Sequence, residues 1–505
     1  MKSISFKNFR RFSDFPEFKF GDITILVGGN NAGKSTFLKA LILLIDNFRE
    51  LQTRNNNFIF ESFWPVFSFD MDHTHQLSLG TYNRAHKFGA DEGITFETEI
   101  DKFRIKIVIK AANETEENSP TASITSISIS DTKRNINFDY NRHFMSIEFK
   151  NSDNQGSINI NADDYVNLIS GYDITIPHNP IARLIYNWIG YQSLHFEKFT
   201  GNYELSDADE IKKVEKQCTL KDSEIGAEEK LIERLIEGED TIELHKSNQL
   251  FLEDKISIIQ KIANELNDAL YKLINLDDIY YIPAQVIAQS VIYTIDNKND
   301  YVAKILHKFH REGIRIGSDP DKFLRDWLKK FEVGNNYRIS PLQGEGYTLE
   351  IETSSGVWRN LADLGMGSNH LVVLLMELAI LLKVKGNKQH PLIIIEEPEQ
   401  NLHPKMQSKI AELFYELNKD RGFRFLVETH SEYLIRRSQV YVAKKNLSEE
   451  ELEKPNPFKV YFFPENGTPY DMKYTNNGHF EEAFGEGFFD EAGKWTRELT
   501  RNKSK

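Results

Sequence analysis

The first 200 residues alternate short apolar runs with polar turns, which is the pattern of half-buried strands. Apolar side chains occur at every second position in residues 103–109 and 126–130, and residues 94–100 follow the same pattern except at Thr98. A period of two places alternate side chains on opposite faces of a sheet. The pattern predicts an antiparallel sheet that follows one opening helix within residues 1–200.

The middle of the chain, residues 201–278, is instead rich in Glu, Lys and Leu and poor in proline. Apolar residues recur there with alternating spacings of four and three, which is the heptad pattern of a helix that packs along a seam. We expect a short helical insertion, which either packs on its own domain or forms an intermolecular or hairpin coiled coil. The apolar positions of the seam are Leu252, Ile256, Ile259, Ala263, Leu266, Leu270 and Leu273.

The C-terminal half alternates apolar strands with helices, as an α/β layer requires. The run Leu392–Ile395 is apolar throughout, which is typical of a central parallel strand covered on both faces, and Phe423–Val427 is a second candidate strand. The longest apolar stretch, Leu371–Leu382, is interrupted by Glu377 and predicted to be too short to cross a bilayer. The predicted divisions of the chain are residues 1–200, 201–278, 279–440 and a C-terminal extension, 441–505.

Composition and charge exclude several classes of function. The chain has 505 residues, of which 40% are hydrophobic and 27% charged, and a net charge of −14, which is typical of a globular protein. This acidic balance argues against a uniformly basic coat for nucleic acid, but it permits a local basic channel. The single Cys218 excludes a disulfide framework and fits a reducing compartment. Because the start of the chain has no apolar signal core, we expect a cytoplasmic protein without a membrane partner.

A phosphate-binding motif connects a predicted strand, Ile23–Val27, to a predicted helix, Phe37–Leu44. The residues between them match G-x-x-x-x-G-K-[ST] in its required setting. The glycines let backbone N–H groups surround the β-phosphate of ATP, and the helix N-terminus adds the positive end of its dipole. We expect Lys34 to be an exposed loop residue that reaches the β and γ phosphates, and Ser35 to bind Mg²⁺. The predicted nucleotide-binding residues are Gly28, Asn30, Asn31, Ala32, Gly33, Lys34, Ser35 and Thr36.

Two acids, Glu396 and Glu397, end the apolar run that begins at Leu392. Because neighbouring side chains of a strand point to opposite faces, one acid can hold the water shell of Mg²⁺ while the next faces the attacking water. We assign Glu396 to the metal and Glu397 to polarising the water. An acidic pair at a strand end is also typical of a solvated turn, and it is the phosphate-binding motif that favours the catalytic interpretation.

Four further motifs occur in a recognisable order: Asn8-Phe9-Arg10, Leu364–His370, Asn401–Pro404 and Thr429-His430-Ser431. With the phosphate loop and the paired acids, they resemble the ABC-type ATPases that include the SMC, RecF-like and OLD-like proteins. The resemblance is carried by residues 1–50 and 355–440. It implies that Arg10 approaches the nucleotide phosphates.

The resemblance also assigns the other motifs. It implies that His430 is the switch residue that senses the γ-phosphate and, with Glu397, forms the catalytic set. The residues after the acids would be the D-loop. The signature motif reads G-x-G-S-N-H instead of S-G-G-Q, and its predicted nucleotide contacts are Gly365, Gly367 and Ser368. Many members of the family carry Asp where this chain has Glu396, and no Q-loop is assignable.

The fold class implied is an α/β, ABC-type P-loop NTPase head with a β-rich lobe and a short helical, coiled-coil-like insertion. Because such heads complete their ATP sites between two subunits, we expect a homodimer or higher homo-oligomer with ATP at the interface. Similarity to the ATPase subunits of bacterial anti-phage systems such as Septu and PARIS implies a nucleotide-gated switch that controls a separate effector nuclease. A RecF-like DNA repair ATPase, which would bind nucleic acid, and an ATP-binding scaffold with little turnover are the alternatives.

No intrinsic nuclease is expected in this chain. OLD-type nucleases carry a Toprim domain after the head, and the 75 residues that follow His430 are too few for one. Cleavage of nucleic acid needs a metal-held or base-activated nucleophile, usually built from clustered acids or histidines. The only such cluster in the sequence, Glu396 and Glu397, is already assigned to ATP. We therefore predict an ATP hydrolase that leaves DNA intact.

Overall fold

The structure is a computed structural model of the chain, and its described residues fall into two compact units. We call them the β unit, Met1–Lys19 with Thr36–Asn275, and the α/β unit, Phe20–Ser35 with Leu276–Lys505. The described residues are 2–53, 66–71, 77–100, 102–111, 113–132, 134–140, 144–151, 155–161, 279–284, 289–294, 296–297, 300–343, 345–385, 390–445, 456–485 and 490–502.

The strands are numbered in chain order. They are β1 (Ser3–Phe9), β2 (Phe12–Lys19), β3 (Ile23–Gly28), β4 (Val66–Ser68), β5 (Asp70–Met71), β6 (Leu77–Ser78), β7 (Ile94–Ile100), β8 (Phe103–Lys110), β9 (Thr121–Ser130), β10 (Arg134–Tyr140), β11 (Phe144–Asn151), β12 (Gln155–Asn161), β13 (Ile279–Ile282), β14 (Tyr293–Thr294), β15 (Asn336–Leu342), β16 (Gly346–Glu352), β17 (Trp358–Asn360), β18 (Leu392–Glu396), β19 (Arg424–Glu428), β20 (Phe458–Phe463) and β21 (Tyr470–Met472).

The helices are numbered in the same way. They are α1 (Lys34–Thr53), α2 (Tyr82–Ala85), α3 (Glu114–Glu117), α4 (Tyr301–Arg311), α5 (Asp319–Lys330), α6 (Met366–Lys385), α7 (Pro404–Arg421), α8 (Glu432–Lys445) and α9 (Glu491–Asn502), with a 3₁₀ turn at Leu361–Asp363.

The β unit is built on an antiparallel sheet with the order β12-β11-β10-β9-β8-β7-β1-β2, and β4 pairs with β9. Alternate residues of β7 and β8 are buried, because the period-two pattern places most of their apolar side chains on one face. This confirms the antiparallel sheet predicted from residues 94–130. β1 and β2, which precede α1, join the same sheet, so the sheet is not restricted to the chain that follows that helix.

Aromatic side chains form the core of the β unit. The rings of Phe6 and Phe15 are stacked with centroids 4.3 Å apart. Phe37, on the first turns of α1, lies 5.1 Å from Phe15 and 4.3 Å from Phe18. Each buried phenylalanine contributes roughly 1.5–3 kcal/mol relative to an exposed one. Packing against Phe37 therefore anchors α1 to β2.

The α/β unit contains a six-stranded sheet with the order β13-β18-β19-β3-β20-β21. Its first five strands are parallel, and β21 pairs antiparallel with β20. The apolar run Leu392–Ile395 is fully buried between β13 and β19, as predicted for a central parallel strand. Because parallel strands end at the same edge of a sheet, the phosphate loop after β3 and the acids after β18 belong to one edge.

The hydrophobic core of the α/β unit is centred on α6. The helix spans Met366–Lys385, and its Met366–Val384 segment is long and apolar enough to cross a membrane, so the predicted stretch Leu371–Leu382 underestimates its length. Within the described residues, however, 67% of this segment is buried inside the protein, as in a core helix. A second, antiparallel sheet, with β16 between β14 and β15 and also paired with β17, contributes Leu349 and Ile351 to the same core.

The predicted fold class, an α/β head with a β-rich lobe, is confirmed by these two units. The helical insertion 201–278, its heptad seam and the boundary at residue 200 lie outside the described residues. Residues from 441 onwards supply β20 and β21 to the α/β sheet, and the boundary predicted at 440 falls within α8. The C-terminal extension therefore shares the sheet that carries the phosphate loop.

Candidate nucleotide site

The phosphate loop lies between the end of β3 at Gly28 and the start of α1 at Lys34, as the motif predicts. Gly28 has a φ of 148°, and a Cβ added to it would lie 2.2 Å from the carbonyl oxygen of Phe463 on β20. Only glycine fits this close approach of two backbones. Gly33, with a φ of 106°, completes the turn into the helix.

Lys34 is buried rather than exposed, so the expectation of an exposed loop lysine is wrong. Its side chain is 3% exposed, and its Nζ donates hydrogen bonds to the carbonyl oxygens of Gly28, at 3.1 Å, and Gly29, at 3.0 Å. Burial lowers the pKa of Lys34, while the charges of Glu428, Glu397 and Glu399 oppose that shift. The loop carbonyl oxygens therefore hold the ammonium group close to Glu428 at this edge of the sheet.

Glu428, the last residue of β19, is a site residue that the sequence did not single out. Its Oε1 accepts a hydrogen bond from Ser35 Oγ at 3.0 Å and lies 3.9 Å from Lys34 Nζ. Burial, followed by the neighbouring charge of Glu396, raises the pKa of Glu428 to about 7, and Lys34 and Ser35 lower it. The sequence feature that could have identified Glu428 is its position directly after the predicted strand Phe423–Val427. β19 ends one residue later, at Glu428, and this adds an acid to the edge of the sheet.

Glu396 ends β18 directly opposite Glu428 in the parallel ladder. Its Oε2 accepts a hydrogen bond from the backbone N–H of Ala284 at 3.3 Å, and the hydroxyl of Tyr281 also bonds to its carboxylate. Burial and the charge of Glu396 raise the pKa of Tyr281, which keeps the hydroxyl protonated as a donor. β13 therefore orients the carboxylate that we assigned to the metal.

Glu397 lies just beyond β18 and has a φ of 45°, in the left-handed region. The argument from strand alternation therefore does not apply to it. Its orientation is set instead by its own N–H, which donates to the carbonyl oxygen of Glu428 at 2.8 Å. Its Oε1 lies 3.9 Å from His430 Nε2, so the structure brings the two predicted catalytic residues together. Burial and the charge of Lys34 lower the pKa of His430, while Glu397 raises it.

Glu399 connects the ends of β18 and β19. It is 7% exposed, and its Oε1 accepts a hydrogen bond from the backbone N–H of His430 at 2.7 Å. The side chain of Thr429 also bonds to this carboxylate, and burial raises the pKa of Glu399. Sequence reasoning missed this residue, which fixes the position of His430 relative to the acids.

The signature residues lie at the start of α6. Gly365 precedes the helix, whereas Gly367 and Ser368 form part of its first turn. A Cβ added to Gly367 would lie 2.2 Å from the carbonyl oxygen of Asn401, so the signature helix packs against the predicted D-loop. Asn369 is fully buried, and neither atom of its amide group has a hydrogen-bond partner among the described residues.

Residues 1–435 match a protein-family model described as AAA ATPase domain. The chain belongs to this family. It is also similar to a solved Smc head domain from Pyrococcus furiosus with an extended coiled coil bound to the C-terminal domain of ScpA, at 13% identity over 99% of both chains and a TM-score of 0.31. The SMC head domain from Thermotoga maritima matches at 11% identity over 94% of this chain and 98% of that chain, with a TM-score of 0.30. No curated protein matches the sequence significantly.

Membership of the AAA ATPase family confirms the predicted ATPase class, whereas individual residue roles remain predictions. Arg10 belongs to the β unit, where it has a φ of 51° and its backbone N–H donates to the carbonyl oxygen of Ala85 at 2.7 Å. The approach of Arg10 to the nucleotide and the contact of Ser368 with the nucleotide of an opposing subunit remain predictions from the resemblance. Asn30 and Asn31 are exposed in the loop and Ala32 is buried, with its N–H donating to Gly29 at 3.3 Å.

The donor set of this AAA ATPase suits a magnesium ion. Mg²⁺ takes oxygen ligands and is usually held by one or two carboxylates together with nucleotide phosphates and water. The hydroxyl of Ser35 and the carboxylates of Glu396 and Glu428 lie at the same edge, and Glu428 Oε2 is buried without a partner among the described residues. The described residues contain no group of three or more His, Cys, Asp or Glu that would form an all-protein cage.

Proposed function

We propose that this AAA ATPase is a Mg²⁺-dependent ATP hydrolase of the ABC/SMC type that works as a nucleotide-gated switch. The proposal is carried by one juxtaposition, in which Lys34 of the phosphate loop faces the acids that end two neighbouring strands. A cation, a hydroxyl and several carboxylates around one loop are the groups that bind a magnesium nucleotide.

Each residue has a defined task in this mechanism. Lys34 and the backbone N–H groups of the loop neutralise and orient the phosphates, and Ser35 and Glu396 hold the metal. Mg²⁺, when bound, offsets the charge that develops on the β and γ phosphates. Glu397 polarises the attacking water, and His430, 3.9 Å away, responds to the γ-phosphate.

The direct test is phosphate release by the purified full chain. We expect ATP hydrolysis with Mg²⁺ and none in EDTA, while plasmid and single-stranded DNA remain intact in the same reactions. Robust DNA cleavage by the lone chain would contradict the proposal that a separate effector performs the cutting. Turnover stimulated by tightly bound DNA would favour a RecF-like repair ATPase, and ATP binding without turnover would favour a scaffold.

The ATP site is proposed to be completed by a second copy of the chain, in a homodimer or larger homo-oligomer. Gly365, Gly367 and Ser368 lie at the N-terminus of α6, and this end of the helix would meet the phosphates of an opposing subunit. Ser368→Arg would block that contact, whereas Lys34→Ala would remove the loop's own cation. Mixing the two inactive variants should restore part of the activity, because a mixed dimer keeps one intact site, and no recovery would argue for self-contained sites.

The biological role that we propose is cytoplasmic anti-phage defence, in which ATP binding or hydrolysis controls an effector nuclease. It is supported by the motif resemblance to the Septu and PARIS ATPase subunits. The effector would dock on Ile256–Leu273, which lies outside the described residues, or on Gly487–Glu491, which is described only from residue 490. Co-purification with a nuclease encoded beside the gene would support the role, and loss of infection protection in the Lys34→Ala variant would link it to the ATP site.

A further inference from the structure

The carboxylate of Glu428 is held against the loop residue predicted to bind magnesium. Its Oε1 lies 3.0 Å from Ser35 Oγ. In an octahedral Mg²⁺ site with metal–oxygen distances of about 2.0–2.1 Å, neighbouring ligand oxygens are about 2.9 Å apart. The two oxygens therefore already have the separation of adjacent magnesium ligands.

Lys34 alone does not account for this buried acid. Its Nζ lies 3.9 Å from Glu428 Oε1, beyond the range of a good hydrogen bond, and its described donors go to the loop carbonyl oxygens at 3.0 and 3.1 Å. The second carboxylate oxygen, Glu428 Oε2, is buried and has no hydrogen-bond partner among the described residues. A buried carboxylate oxygen without a partner is costly, which indicates a ligand that the protein itself does not supply.

The register of the sheet adds a second, independent observation. Glu396 and Glu428 occupy opposite positions in the parallel ladder of β18 and β19, so the two acids are cross-strand neighbours. Strands are about 4.8 Å apart in a sheet, and like charges directly opposite each other are destabilising. A divalent cation shared by the two carboxylates would remove that repulsion.

We propose that Glu428 is a third magnesium-holding residue of this site, beside Ser35 and Glu396. The inference rests on the proposed function, since it concerns the metal of the same ATP site. It extends that function, because the metal would bridge the ends of β18 and β19 and bind to both strands at once. Glu428 would then hold the metal in this chain, in which no Q-loop residue could be assigned from the sequence.

The test compares nucleotide binding with and without metal in the full chain, by calorimetric titration with the non-hydrolysable analogue β,γ-imido-ATP. We expect Mg²⁺ to tighten binding to the wild type relative to EDTA. Glu428→Gln should weaken binding in Mg²⁺ by roughly 10–100-fold, the usual range for loss of a group that supports a metal. Its binding in EDTA should be equal or tighter, because a negative charge near the phosphates has been removed.

Glu377→Gln is the matched control. Glu377 is also a glutamate with one buried, unpartnered carboxylate oxygen, but its described partner is the hydroxyl of Tyr301 on α4. It should retain the full gain in affinity from Mg²⁺. Glu428→Asp keeps the charge but withdraws the carboxylate oxygens by one methylene, so it should lose part of the gain in affinity from Mg²⁺. This variant keeps the proposal testable if Glu428→Gln does not fold.

The spectrum of Mn²⁺ bound with the analogue gives a readout that is independent of affinity. In electron paramagnetic resonance, Glu428→Asp should change the Mn²⁺ signal, whereas Glu377→Gln should not. The proposal would be overturned if both Glu428 variants kept the full gain in affinity from Mg²⁺. An equal loss of affinity in Mg²⁺ and in EDTA would also overturn it, since Glu428 would then support only the phosphate loop and not the metal. Failure of the wild type to bind the analogue would instead overturn the proposed function.

Discussion

The ends of β18 and β19 carry acids in opposite settings. Glu397, after β18, has 38% of its side chain exposed, whereas Glu428, at the end of β19, has 6% exposed and faces Ser35 and Lys34. An acid that meets solvent can act on a water molecule, and an acid enclosed beside a cation and a hydroxyl can hold a metal. In the mechanism that we propose, Glu397 would act on water and Glu428 would hold the metal, which fits the different burial of these two acids.

The largest expected effect comes from Lys34→Ala, which removes the cation that lies beside Glu428. Nucleotide binding should fall more than about a hundredfold, because each charge-assisted hydrogen bond contributes roughly 1.5–3 kcal/mol. Calorimetric titration with ATP measures this loss. Lys39→Ala, on the same helix, is the control for a change of net charge, and wild-type affinity in Lys34→Ala would contradict the site.

The burial of Lys34 also predicts that Lys34→Ala lowers the stability of the protein. Its Nζ bonds to two loop carbonyl oxygens, so the alanine variant leaves them and the nearby Glu428 without a cation. Thermal melting should therefore show a lower Tm for Lys34→Ala than for Lys39→Ala. Equal melting temperatures would mean that the loop does not depend on the ammonium group.

Glu377 on α6 is a second acid of the α/β unit whose pKa is raised mainly by burial. Burial raises its pKa to about 7, and the bond from Tyr301 and the charge of Lys308 lower it. Because the folded pKa lies above the unfolded value of about 4.5, the stabilisation is complete below that pH and is lost as the pH rises to about 7. The loss should be on the order of 2 kcal/mol, allowing for the partial exposure of the residue.

Chemical denaturation at pH 5 and pH 7.5 measures this dependence. The free energy of unfolding of the wild type should fall between the two values more steeply than that of Glu377→Gln, since the amide does not ionise. An identical change in both proteins would show that Glu377 titrates near its ordinary pKa.

The turn after β18 is further constrained by the signature helix, and Gly367→Ala tests this contact. Its Cβ would lie 2.2 Å from the carbonyl oxygen of Asn401, and such overpacking typically costs about 1–3 kcal/mol. Gly365→Ala is the control, because its Cβ would meet nothing within 4 Å. We expect a lower Tm for Gly367→Ala alone, and equal values would exclude the contact.

Much of the fold could be predicted from local patterns. The alternation in β7 and β8, the apolar run of β18 and the strand–loop–helix around Lys34 each need only neighbouring residues. The membership of β1 and β2 in the sheet could not be predicted in this way. It depends on the pairing of β1 with β7, whose residues are about 90 positions away along the chain.

The candidate site was predictable where a motif fixes both residue type and spacing. Lys34 and Ser35 begin the helix after β3, Glu396 and Glu397 lie at the end of β18, and His430 follows β19, whereas their individual roles remain predictions. Glu428 was missed because its burial arises from packing between β18 and β3, which the sequence does not show. The burial of Lys34 likewise depends on packing between distant parts of the chain, so it could not be inferred from the glycine-rich sequence of the loop.

The central claim is that the exposed acid after β18 performs the chemistry, and phosphate release at saturating Mg²⁺-ATP tests it most directly. Glu397→Gln should hydrolyse ATP at least about a hundredfold more slowly than the wild type, the usual scale for loss of a general base, while calorimetry shows ATP affinity retained. If Glu397→Gln turns over at a near-normal rate while Glu396→Gln binds ATP and does not hydrolyse it, the two roles are exchanged and the account is contradicted.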